Sequence, residues 1–229
     1  MKTLLDFLAR KDAKAQRRIE GFLLCLLSIG FLSSCIGVNT NISFNADNSG
    51  TISLEYRVNQ ALLSLGRFDG NEAYPTLPVG RIDFERTIAR VPGLSLVSHS
   101  TRDEAMDSII TARLRFRDIN ALLGFLDASG SLAMYGNEQG SQKLTLVLGT
   151  GILNRDNTLY ELIRDISGSY NISFSFSFPS DASLELLDNQ GRANNAASQI
   201  NPQGRNIMFS MPLEHVLYAD NGLIAQIMW

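Results

Sequence analysis

Cysteine is scarce in this 229-residue chain, which has only 2. A disulfide-dense scaffold and a thiolate metal site are therefore excluded. Histidine is equally scarce, with His99 and His215 the only 2, and neither HxH nor HxxxH spacing brings them together on one metal. A basic excess is missing as well. Lys and Arg number 20 against 23 Asp and Glu, a formal charge of −3, which argues against nucleic acid as a partner. Proline is sparse at 6, and 45% of residues are hydrophobic, so the bulk of the chain can bury a core. After residue 35 there is no Cys free to act as a catalytic nucleophile, and no recognisable Ser/His/Asp context. The expectation is a non-enzymatic protein with no cofactor and no metal.

What is present begins at the N-terminus. Residues 1–20 carry six basic side chains (Lys2, Arg10, Lys11, Lys14, Arg17, Arg18) against Asp6, Asp12 and Glu20. An uncharged run, Gly21 to Val38, follows. Basic leader, apolar stretch and small-residue site in that order read as a secretory signal. The strongly apolar part, Phe22 to Leu32, is 11 residues. As a helix it spans about 16 Å, roughly half of a ~30 Å hydrocarbon core. An uncleaved anchor built on the whole uncharged run is the alternative.

Leu32-Ser33-Ser34-Cys35 is similar to a bacterial lipobox: Leu three before the Cys, two small residues, then Cys. The resemblance implies a diacylglyceryl group on the Cys35 thiol, cleavage before it, and acylation of the new N-terminus with palmitate-type chains. A thiolate is the good nucleophile in that stretch, and Ser33 and Ser34 are small enough to lie extended in a protease groove. Cys25 lies inside the apolar run and reads as filler. The domains expected are a signal peptide, residues 1–34, and a mature domain, residues 35–229. Removing six of the 20 basic and three of the 23 acidic residues leaves 14 and 20, a net charge of −6. Such a body does not adhere to anionic lipid by net charge, so the acyl chains must anchor it.

In the mature part, alternation of apolar and polar residues marks strands at 39–45 and 51–58, joined by the turn Ala46-Asp47-Asn48-Ser49-Gly50. Further strands are expected at 94–99, 106–117, 143–148, 170–178, 182–187, 206–211 and 223–229, with Pro179 ending the sixth. Helices are expected after Asn59, over Arg81 to Val91, after Asp118 or Asn120, and after Asp156 or Asn157 to Gly168. Residues 130–140 and the Asn/Gln/Gly-rich 188–204 read as loops, the latter mobile. The pattern predicts an α+β domain: an antiparallel sheet with about three helices packed on one face. A single domain is favoured over a division near residue 168.

The run Ile42-Ser43-Phe44-Asn45-Ala46-Asp47-Asn48-Ser49-Gly50-Thr51-Ile52, directly after the lipobox Cys, resembles the LppM-type family of bacterial lipoproteins. Phe174-Ser175-Phe176-Ser177-Phe178-Pro179, followed by a Gly-containing loop and a late strand, is similar too. The likeness is one of pattern across most of residues 35–229. It implies an envelope lipoprotein with an α/β domain and a lipid- or glycolipid-binding role, and it carries no ligand residues over.

Two features could bind a ligand. Arg113, Arg115 and Arg117 alternate with Leu114 and Phe116, so a strand would place all three on one face. Three guanidinium forks there could grip phosphate or carboxylate headgroups. The plainer reading is a solvated face paired with acids on neighbouring strands. Phe174, Phe176 and Phe178 form an apolar stripe that could line a lipid cavity or simply pack a core. Asp103, Glu104 and Asp107 lack the bend Gly of a calcium loop and read as a solvated turn. Gly149-Thr150-Gly151 lacks the third Gly of a dinucleotide fingerprint and reads as a turn.

The function expected is a cell-envelope or periplasmic lipoprotein, anchored to a membrane and binding a lipid-like, glycolipid or small apolar ligand. The alternative is an envelope-tethered interaction or assembly factor. Cys35→Ser is expected to abolish palmitate labelling in growing cells and to leave the leader uncut, as read by mass spectrometry. A native chain that takes up no label would refute the anchor.

Overall fold

Residues two apart in an extended strand share a face, and this period governs most of the chain. The computed structural model describes residues 37–59, 80–104, 107–127, 129–138, 140–149, 170–217 and 219–229. In chain order these form β1 (Gly37–Phe44), β2 (Gly50–Asn59), α1 (Arg81–Ile88), β3 (Leu94–Glu104), β4 (Asp107–Phe116), α2 (Ile119–Leu126), β5 (Ala133–Glu138), β6 (Ser141–Gly149), β7 (Asn171–Leu187), β8 (Gln199–Asn201), β9 (Gln203–Pro212), α3 (Leu213–Leu217) and β10 (Leu223–Met228). The sheet order is β3-β4-β2-β1-β7-β10-β6-β5, with β9 along the other edge of β7 and β8 outside β9.

The expected α+β architecture is overturned. Of the described residues 62% are strand and 14% helix, and the large mixed sheet curls into a half-barrel. Among the described residues, no layer of three helices covers one face. The helices are short and packed separately: α1 on β3, α2 against β3, β4 and β5, and α3 against β9 and β6. Nor is the sheet purely antiparallel, because β1 runs parallel to β7. That pairing joins segments more than 100 residues apart and leaves no local trace in the sequence. The helices expected after Asn59 and after Asp156 lie outside the described residues, while Asn59 itself ends β2.

Register turns each strand's alternation into rows of apolar side chains. Phe209, Phe174, Thr40, Leu54 and Ala112 form one row across β9, β7, β1, β2 and β4. Ile207, Phe176, Ile42, Ile52 and Leu114 form the next, and all five are fully buried. Beside them, Gly50 stands level with Phe44 and Phe116. A Cβ at Gly50 would run into the Ser43 carbonyl oxygen on β1 first and then the Phe116 ring, so the close approach of that backbone requires glycine. The β1–β2 turn is held by Asp47, whose carboxylate accepts from the Ser49 amide at 3.0 Å and its hydroxyl at 2.6 Å.

β7 does not stop at Pro179 but runs 17 residues through it. Its register with β9 slips between Ser177 and Ala182. Proline is tolerated there because the bulge needs no ladder N–H from it. Before the bulge β7 pairs with β1; after it, with β10. One strand therefore carries both leaves of the half-barrel. An aromatic cluster closes the leaves together. Phe178 lies 4.9 Å from Phe44 and 4.7 Å from Trp229, and Phe44 meets Phe116 edge-on at 5.6 Å.

Two buried carboxylates order segments that read as loops. Asp188 accepts from the backbone N–H of Gln190 and Arg192 and from the Arg192 guanidinium. The Arg192 amide is the first cause holding its carboxyl below the usual range. The expected mobile loop is thereby folded back, and it contains β8. Asp127 follows α2. Burial pushes its carboxyl up, but hydrogen bonds from the Ser129 hydroxyl and from the Leu132, Ser129 and Ala133 amides prevail, and it settles at about 2. That clasp launches β5 from a stretch expected to be loop.

Phe176→Ala is expected to cost about 3–5 kcal/mol of unfolding free energy in urea titrations. Asp127→Asn is expected to cost about 1–3 kcal/mol at neutral pH. Because the folded pKa is depressed, ionised Asp127 contributes stability above 3.8 that is lost as pH falls toward about 2. The gap between native and variant should close over that window, and a gap independent of pH would count against the clasp.

Candidate functional site

The same register that buries one face builds the other. Residues facing away from the core in β1, β2, β4 and β7 are mostly polar, with the buried Ile109 an apolar exception. Ser175, Asn41, Ser53, Arg113 and Ser98 form a row across β7, β1, β2, β4 and β3. Ser173, Asn39, Glu55, Thr111 and Ser100 form the row beside it. Across five strands these two rows carry mainly hydroxyl and amide groups, while Arg57, Arg102, Glu104 and Asp107 continue the face toward the Gly37 end. A shallow open depression of ≈ 350 Å³ lies on it, touched by Asn39, Asn41, Ser53, Glu55, Ser173 and Ser175, with Glu55 its charged lining residue.

Arg113 and Arg115 are exposed on this face. Their cross-strand neighbours are Ser53 and Ser98 for Arg113, and Thr51 and Ser95 for Arg115. The acids that would pair them on a merely solvated face are therefore absent from the opposing positions. Neither guanidinium has an ion-pair partner among the described residues. Glu55, one step along β2, opposes Thr111 instead. Arg117 differs. It follows the end of β4, and its Nε donates to Asp118 Oδ2 at 3.1 Å. Asp118 is meanwhile the N-cap of α2, accepting from the Ala121 amide at 3.0 Å. Of the three alternating arginines, two share the open face and the third is held at its edge.

Phe174, Phe176 and Phe178 lie on the opposite side, all buried. Their rings stack in sequence at 6.2 and 6.3 Å, and Phe174 also stacks on Phe209 at 5.3 Å. The stripe is thus packed within the core that supports the polar face. Cys35 lies outside the described residues, two positions before β1.

The remaining titratable groups are dispersed. His99 sits in β3, its ring 5.2 Å from that of Phe84. His215 sits in α3, with Nδ1 3.1 Å from the Ala196 carbonyl oxygen. Asp103 accepts from the Ser108 hydroxyl, and Glu104 lies 3.9 Å from Arg57. Among the described residues, no three His, Cys, Asp or Glu side chains are grouped to hold a metal. No helix among them is long and apolar enough to cross a membrane. Alternation alone marked the polar side of each strand; only the pairings show that those sides join into one surface.

No family model matches the chain, and no curated protein does. Among solved structures it is similar to the folded domain of the Mycobacterium tuberculosis LppM protein, determined by NMR, with a TM-score of 0.38 and 10% identity, covering 82% of this chain and 86% of that one. A likeness of that degree leaves the fold to be argued from the strand pairings and the function from the residues.

Proposed function

We propose that this chain is a non-catalytic lipoprotein of the bacterial cell envelope, held to a membrane through acylated Cys35. Its polar sheet face binds an anionic, hydroxyl-rich headgroup of lipid or glycolipid type. The observation that carries this reading is the pair Arg113 and Arg115, exposed and without ion-pair partners among the described residues, with Ser and Thr at the opposing cross-strand positions. Guanidinium forks take up phosphate oxygens in bidentate fashion, and the flanking hydroxyls and amides can bond a polyol. The phenylalanine stripe supports this face from beneath.

An assembly factor is the second reading, favoured by the outer edges of β3 and β5, which hold no ladder partner among the described residues. Unpaired strand edges accept strands from other chains.

The test uses the acylated full-length protein in neutral detergent with short-chain phosphatidylinositol. Arg113→Ala/Arg115→Ala is expected to weaken binding roughly ten- to hundredfold, the loss of a charge-assisted hydrogen bond or two. Arg117→Ala, whose guanidinium is already engaged by Asp118, should bind as the native chain does. Equal binding by all three proteins would remove the headgroup reading. A reproducible crosslinked protein partner insensitive to the double substitution would favour assembly instead.

A further inference from the structure

We infer that the Arg113/Arg115 face lies down on the anionic surface of the same bilayer that holds the anchor, so that the domain docks flat rather than standing off the membrane. This rests on the proposed acylation of Cys35. Two observations select the geometry. The first is reach. Cys35 precedes the first residue of β1, Gly37, by two positions, so the tether measures at most about 7 Å. β1 is an interior strand, flanked by β2 and β4 on one side and β7 on the other. The sheet can pivot about Gly37 but cannot lift away. Arg113 stands level with Asn41 and two strands across, roughly 17 Å from Gly37 by strand rise and spacing, so a flat sheet brings it to the lipid phosphates.

The second observation is charge. Standing upright would press the Gly37 end of the sheet against the bilayer. Among the described residues, register places Arg57 and Arg102 there with Asp103, Glu104 and Asp107, two positive charges against three negative. Lying flat presents Arg57, Arg102, Arg113 and Arg115 against Glu55, Glu104 and Asp107, which the register sets on that same face, so its described charges are net positive. The charges near the surface decide, because those more than about 10 Å away are screened at physiological ionic strength. The acidic balance of the whole chain therefore does not prevent docking.

With Cys25 removed and Cys35 acylated, the mature chain has no free thiol, so a single introduced cysteine is labelled cleanly. Asn206 is exposed and pairs with Ser177, which is level with Ser43. It thus lies on the outer face at the end away from Gly37, about 20 Å along the strands. Asn206→Cys, carrying a fluorophore, is reconstituted in vesicles of phosphatidylglycerol or of phosphatidylcholine, each containing a headgroup nitroxide quencher. The expected result is strong quenching in phosphatidylglycerol only, while the protein stays with both vesicles. Adding Arg113→Ala/Arg115→Ala should lower the docked population roughly 30-fold, with the melting temperature unchanged. Protein that stays with the vesicles but shows the same quenching in both lipids, or quenching indifferent to the arginines, overturns flat docking alone. Protein that leaves both vesicles overturns the anchor and this inference together.

Discussion

The parallel pairing of β1 with β7 holds the half-barrel together. β1 carries the leaf that continues through β2, β4 and β3, and β7 carries the leaf that continues through β10, β6 and β5. A parallel ladder joins segments distant in sequence and closes a long loop at an entropic cost. That cost is offset by burial along the seam, where Val38, Ile42, Ile172 and Phe176 are removed from water. Without the seam, each leaf would be a small sheet with one apolar side uncovered.

The bulge in β7 follows from the same constraint. A strand serving two leaves must bend between them, and the register slip beside Pro179 supplies the bend. The bend brings Phe178 to Phe44 and Trp229, so the aromatic cluster lies where the leaves converge. Burying these rings leaves the serines and asparagines between them on the outside. The polar face is thus a consequence of how the core closes, and Arg113 and Arg115 stand on it without an ion-pair partner among the described residues.

Much of this was legible residue by residue. The hairpin of β1 and β2, the cap at Asp118 and the inward Phe stripe follow from period-two alternation and capping chemistry. β5 and β8 were not legible, because their order comes from the Asp127 and Asp188 clasps, in which one carboxylate gathers several backbone amides. Asp-rich and Asn-rich stretches look like loops when only their turn chemistry is visible. The helix layer failed for a different reason. Each expected helix was a local judgement, and none showed what the helix would pack against.

Alternation fixes which side chains of a strand share a face, so residue order alone makes Phe174, Phe176 and Phe178 point together and Arg113 and Arg115 point together. It also determined the chemistry available at Cys35. Only the tertiary structure decided which strands stand side by side. That choice placed serine and threonine opposite the arginines where acids could have stood, because pairing partners are selected by burial across the whole sheet and not by neighbours along the chain.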